Sequence, residues 1–185
     1  DMSYMFSECE SLTTLDVSHF NTSQVKNMAS MFATCSKITT LDVSHFNTSN
    51  VTNMSYMLCY TGYLNPDFTL DVSGFDTSKV TNMASMFSYS GNSNNMFELD
   101  VSQFDTSSVT DMSYMFWGYG KNATEVVLDL SNFDTSKVTN MKWMFNGVGE
   151  NSETVELNLS SFDTSQVTNM ENMFTSVGQN SIVFD

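Results

Sequence analysis

The chain has 185 residues, with 21 acidic residues against six lysines, no arginine and a net charge of −15. Binding to nucleic acid or to an anionic membrane needs clustered Lys and Arg, so this charge balance argues against both and favours cationic partners. Hydrophobic residues make up 41% of the chain, enough for one folded core, and no apolar run approaches the length of a membrane span.

One motif recurs along the whole sequence. Copies of the segment LDVSHFNTSQVKNMASMF begin at Leu15, Leu41, Leu70, Leu99, Leu128 and Leu157. The first offset is 26 residues and the later ones are 29 residues. A fixed period of this length is the signature of a stacked repeat array. We therefore expect a single repeat array over residues 1–185, with a partial repeat at 1–14, as a monomeric fragment of a longer chain.

Each repeat changes its hydrophobic period once. Leu15 and Val17 alternate with Asp16 and Ser18, which predicts a short strand. Asn21 then has the character of a helix N-cap. The apolar positions that follow recur at helical spacing, at Val25, Met28, Met31 and Phe32. The pattern predicts an α/β fold: a leucine-rich-repeat-like right-handed solenoid with one short parallel strand and one short helix per 26- or 29-residue repeat.

The end of each expected helix differs between the two repeat lengths. The 29-residue repeats place glycine at one offset, at Gly62, Gly91, Gly120, Gly149 and Gly178. Glycine is the usual residue where a helix ends in a left-handed conformation. The shorter repeats carry Cys9 and Cys35 in register, and we expect these to be free thiols within the core.

The motif resembles the BspA-like leucine-rich-repeat surface proteins, and more narrowly their subfamily with LDxSxFDTSxVTNMxxMF repeats. The resemblance covers essentially the whole chain. It implies display outside the cell or on its surface and binding to a partner, and it implies no catalytic residues. The repeat also gives no convergent catalytic constellation, because its Ser, His and Asp residues recur as scaffold positions, and we expect no enzyme activity.

Acidic residues should form a row on the exposed face of the strands. This acidic row consists of Asp16, Asp42, Asp71, Asp100 and Asp129. In leucine-rich repeats this face is concave and binds partners. Carboxylates about 5 Å apart should raise each other's pKa. The row is a candidate binding face, a calcium site, or only solubilising charge held by nearby serines; we expect no cofactor, with calcium as the alternative.

Aromatic residues near the ends of the expected helices form a second candidate site. The candidate aromatic rim consists of Tyr60, Tyr89, Trp117, Tyr119 and Trp143. Tyr and Trp are effective interface anchors. The methionines at the Met28 and Met31 positions are instead expected to pack in the core.

These features lead to one leading function and two alternatives. The leading expectation is a non-enzymatic extracellular module for binding or adhesion that recognises a protein or glycan on another cell or in the matrix. A structural spacer that holds another domain off the cell surface is the first alternative. A calcium-stabilised solenoid is the second.

Overall fold

The computed structural model describes residues 1–92 and 99–180 in full and the backbone of residues 183–184. Its strands are β1 (Thr40–Asp42), β2 (Thr69–Asp71), β3 (Glu125–Asp129), β4 (Thr154–Asn158) and β5 (Val183–Phe184). Strand β1 pairs with β2, and β4 lies between β3 and β5, all in parallel. Leu41 pairs with Leu70, and Leu128 with Leu157, so equivalent residues of successive repeats lie side by side. The expected parallel strands are confirmed in these repeats.

The expected helix is absent, and the α/β leucine-rich-repeat-like fold class is wrong. The segment from Met28 onward is a run of β-turns, in which the N–H of Met31 bonds the carbonyl of Met28 and the N–H of Cys35 bonds that of Phe32. The intervening N–H groups of Met28, Ser30, Phe32 and Thr34 donate instead to carbonyls of the next repeat. An α-helix would use all these groups within its own segment. No α-helix occurs in residues 1–92 or 99–180.

A left-handed residue occupies the third position of the turns that begin at Met28 and Phe32. Ser30 has a φ of 56° and Thr34 a φ of 64°, and the equivalent residues of the other repeats also have positive φ. The glycines at the end of the 29-residue repeats are left-handed as expected, with Gly62 at 64° and Gly149 at 53°. The backbone conformation of the turn segment therefore repeats every four residues, whereas an α-helix has 3.6 residues per turn.

Asn and Asp side chains close three turns in every full repeat. In the repeat that begins at Leu15, the Oδ1 atoms of Asp16, Asn21 and Asn27 each accept the backbone N–H two residues further on. The same three bonds recur in the last repeat at Asn158, Asp163 and Asn169. These are Asx turns, which mimic a backbone turn. The residues at the Asn21 position therefore cap turns and not helices.

Columns of identical methionine and phenylalanine side chains fill much of the core. Met28, Met54, Met83, Met112 and Met141 are all fully buried, and so are Met31, Met57, Met86, Met115 and Met144. The ring of Phe116 stacks on that of Phe145 with centroids 5.8 Å apart. The expectation that methionines pack in the core is confirmed in these repeats. In the last repeat the equivalent residue, Met170, is 48% exposed.

Buried threonines link successive repeats. The hydroxyl of Thr77 donates to the carbonyl of Asp105 at 2.9 Å, and that of Thr106 donates to the carbonyl of Asp134 at 3.0 Å. Both threonines are 1% exposed. A buried hydroxyl without a partner would be costly, so these bonds favour in-register stacking.

We predict a far-ultraviolet circular dichroism spectrum without the double minimum of α-helix. The turn segments send half of their N–H groups to the next repeat, which leaves no helical hydrogen bonding to absorb in that way. A spectrum with strong helical minima would contradict the turn architecture.

We predict that Met112→Ala destabilises the protein by about 2–5 kcal/mol, because it opens a cavity in a fully buried column. The matched control is Met170→Ala, in the same column but half-exposed, which should cost much less. Urea unfolding of both variants measures the difference. Equal losses would contradict the burial difference.

Candidate functional site

The acidic row lies at the surface, as expected, and each carboxylate closes a turn. Asp16, Asp42, Asp71, Asp100 and Asp129 are all exposed. In each, Oδ1 accepts the backbone N–H of the serine two residues on. The hydroxyls of Ser44 and Ser73 add bonds of 2.7 and 2.6 Å to Asp42 and Asp71. One oxygen of every carboxylate is therefore committed to the scaffold.

The expected rise in pKa is wrong for Asp16, Asp42, Asp100 and Asp129 of the acidic row. Hydrogen bonds from the serine hydroxyl and its backbone N–H lower the pKa of Asp16, Asp42 and Asp100 below the ordinary value. For Asp129 the backbone N–H of Ser131 is the main cause. Donors that bond only the charged form outweigh repulsion between exposed carboxylates, which solvent screens.

Aromatic side chains form a continuous surface strip across successive repeats. We define the aromatic strip as Tyr60, Tyr63, Tyr89, Tyr114, Trp117 and Trp143, all of them half-buried. The rings of Tyr60 and Tyr89 stack with centroids 4.7 Å apart, and Tyr63 lies 5.2 Å from Tyr60.

The strip continues through its two tryptophans. Trp117 lies 4.9 Å from Tyr89 and 5.8 Å from Trp143, centroid to centroid. Tyr114 lies 5.7 Å from Trp117 and 5.8 Å from Trp143. Aromatic rings at these distances attract one another beyond their burial.

The family described as "Mycoplasma protein of unknown function, DUF285" matches residues 1–90 and again residues 63–182. This chain belongs to the DUF285 family. The match supports the resemblance to BspA-like repeat proteins at the coarse level. No curated protein and no solved structure gives a match.

Four members of the strip in this DUF285 chain occupy left-handed backbone positions. The φ angles are 56° at Tyr60, 54° at Tyr89, 60° at Tyr114 and 58° at Trp143. A bulky residue with positive φ is an outlier that costs on the order of 1–3 kcal/mol. Other repeats place smaller residues there: Thr34 and Ser176 at the Tyr60 position, and Ser85 and Asn172 at the Tyr114 position. The fold therefore does not require aromatic residues at these positions.

One residue of the predicted aromatic rim of the DUF285 chain lies in the core and not at the surface. Tyr119 is 1% exposed and packs edge-on against Phe116, so it belongs to the core. It shares a column with Cys35 and Val148, which are also buried. The sequence signal of its burial is the repeat position that Tyr119 shares with Cys35, which was itself expected in the core.

The predicted rim did not include two residues of the strip, Tyr63 and Tyr114. Tyr63 lies in the loop that follows the turns, and Tyr114 lies four residues before Gly118 in the left-handed pattern. Their contacts with the other rings follow from the four-residue turn period and the loop path.

Two ion pairs flank the strip. Lys121 bonds Glu150 at 2.9 Å, and Lys142 bonds Glu171 at 2.8 Å. The carboxylate of Glu150 raises the pKa of Lys121, and burial raises the pKa of Tyr60 to about 12. Near neutral pH the strip therefore presents neutral phenols, and both lysines are already paired.

Other polar candidates are explained by the scaffold or lack a site. His45 places Nε2 2.9 Å from the carbonyl oxygen of Val17 in the preceding repeat, and Asn132 makes the equivalent link to Val101. The three cysteines are free thiols, as expected. Within residues 1–92 and 99–180 no group of three or more His, Cys, Asp or Glu residues is arranged to hold a metal ion. The same residues contain no helix long and apolar enough to cross a membrane.

We predict that the turn carboxylates make the DUF285 protein sensitive to acid. Their pKa values are lowered in the folded state, so their stabilisation is present above the ordinary value of 3.8 and is lost as the pH falls through the folded values. Thermal melts from about pH 7 down to about pH 2 should show a loss of stability that begins near pH 4.

The matched control is the triple variant D42N/D100N/D129N. Asparagine keeps the acceptor oxygen, as Asn158 does in the same column, but does not titrate. The triple variant should therefore lose less stability on acidification than the wild type. Identical acid profiles would show that other groups carry the effect.

Proposed function

We propose that this segment is a non-enzymatic binding module of an extracellular or cell-surface protein, and that the aromatic strip meets its partner. The proposal places the chain in the LDxSxFDTSxVTNMxxMF subfamily of BspA-like surface proteins. The partner is a protein or a glycan on another cell or in the matrix. The net charge of −15 disfavours nucleic acid and anionic membranes as partners.

The main support for the proposal is the aromatic strip, where the repeats differ from one another. The buried Met and Phe columns keep nearly the same residue in every repeat. Four aromatic residues of the strip occupy left-handed positions where some other repeats have Ser, Thr, Asn or Gly. Half-buried Tyr and Trp supply large rigid contact areas of the kind that dominate interface energetics. A contact surface explains their presence where scaffold needs do not.

The acidic row is a weaker candidate for the same role. Every member has a scaffold task, because Oδ1 closes the turn to the following serine. Its charge still contributes to solubility and to attraction of basic partners at a distance.

The spacer remains as a second candidate function. The Asn27, Asn53, Asn82, Asp111, Asn140 and Asn169 positions pair in parallel from one repeat to the next. A stack this regular is suited to hold another domain at a distance. A spacer has no need of the aromatic strip, so the strip favours the binding module.

We predict saturable binding of the labelled protein to at least one member of an array of extracellular proteins or of a glycan array. The strip variant Y60T/Y89S/Y114S/W143N should lose this binding. Each substitution introduces a residue that another repeat carries at the same left-handed position, so the backbone conformation is kept.

The control is Tyr4→Ser, an exposed tyrosine at the Tyr114 position but in the first repeat, which should bind like the wild type. Loss of binding in D42N/D100N/D129N alone would move the site to the acidic row. If neither array retains the protein, the binding function is wrong and the spacer function replaces it.

A further inference from the structure

We propose that the aromatic strip docks an arginine-rich segment of a basic protein, with Trp117 as the main platform for a guanidinium group. This inference rests on the binding function proposed above and names its partner chemistry. It follows from the ring geometry of the strip, from the pairing of the nearby lysines and from the charge of the chain.

Trp117 is oriented differently from the rest of the strip. Tyr60 and Tyr89 lie nearly parallel, with 16° between their planes. The Trp117 indole instead stands at 72° to Tyr89, 63° to Tyr114 and 90° to Trp143. None of these three neighbours stacks flat on the indole. A half-buried indole that these rings do not cover face to face offers the best aromatic surface for a cation.

The local charges leave the strip open to an incoming cation. Lys121 and Lys142 are the lysines beside the strip, and each is paired with a glutamate. Lys121 is close enough to Tyr89, and Lys142 to Tyr114, to interact electrostatically. Because both lysines are neutralised by their partners, they do not add net positive charge that would repel a guanidinium group.

The chain as a whole attracts cations. Its 21 acidic residues against six lysines give a field that draws a basic segment towards any part of the surface. That field is not selective, because it acts equally on Lys and Arg. The aromatic strip adds the selection, since a planar, weakly hydrated guanidinium stacks on aromatic rings better than an ammonium group does.

These observations favour a basic protein over a glycan. A neutral sugar would use the rings but would gain nothing from the net charge of −15, and an acidic sugar would be repelled. A basic segment uses both features. An extended basic segment also fits the elongated strip. Tyr60, Tyr89, Trp117 and Trp143 belong to successive repeats, so their rings follow one another in one direction.

The test compares three peptides of equal length: nine arginines, nine lysines and nine citrullines. Citrulline keeps the planar shape of arginine but carries no charge. Calorimetry gives the affinity, and tryptophan fluorescence reports the location, because the only two tryptophans of the chain both lie in the strip. We expect the arginine peptide to bind about three- to tenfold more tightly than the lysine peptide and to change the fluorescence. The citrulline peptide should bind weakest.

Variants separate the strip from the general field. Trp117→Ser, which introduces the residue that Ser88 provides in the preceding repeat, should reduce the affinity for arginine to that for lysine. The strip variant Y60T/Y89S/Y114S/W143N should do the same, and Tyr4→Ser should not. Melting curves of each variant confirm that it folds. The residual binding should weaken with salt equally for both cationic peptides.

Four outcomes would overturn the inference. Equal affinities for the arginine and lysine peptides would assign the binding to net charge alone. An arginine preference that survives Trp117→Ser would place the guanidinium site away from Trp117. Strip-dependent binding on the glycan array without any arginine preference would keep the binding function and replace the basic partner with a sugar. Failure on both arrays together with failure of the peptides would end the binding function itself.

Discussion

The hydrogen bond from a backbone N–H of one repeat to a carbonyl of the next is the interaction on which this structure depends. Met28, Ser30, Phe32 and Thr34 all donate in this way, at 2.7–3.0 Å. Such bonds form only when successive repeats are in register. Because register places like residues beside like, the sequence must supply at each position a residue that can stack on its own copy. The near-identity of the repeats follows from this one constraint.

The same constraint sorts residues into those the scaffold needs and those it does not. Buried columns of Met and Phe fill the interior, Thr77 and Thr106 satisfy carbonyls between repeats, and Asp or Asn closes each turn. These positions cannot vary without cost. Left-handed positions only need to tolerate positive φ, which Gly and Asn do at the lowest cost. The fold therefore does not require the aromatic side chains of Tyr89 and Trp143 at such positions.

The spacing of the buried residues explains why the sequence predicted a helix. Met28, Met31, Phe32 and Cys35 are all fully buried, at spacings of three, one and three residues. That pattern fits an amphipathic helix with 3.6 residues per turn, and it fits equally a turn segment that repeats every four residues. Over two turns the two periods differ by less than one residue. The left-handed glycines were predicted correctly, because that conformation ends helices and joins β-turns alike.

The sequence by itself determined the repeat, the parallel strands, the buried columns and the exposed acidic row, because periodicity and residue type decide which positions can stack and which must face water. It also placed Tyr60, Tyr89, Trp117 and Trp143 among the candidate binding residues. Only the tertiary structure decided that the turns replace the helix, since that depends on whether N–H groups bond within a repeat or between repeats. It alone removed Tyr119 from the surface and added Tyr63 and Tyr114 to the strip, because contacts between side chains of different repeats depend on the path of the chain through each turn.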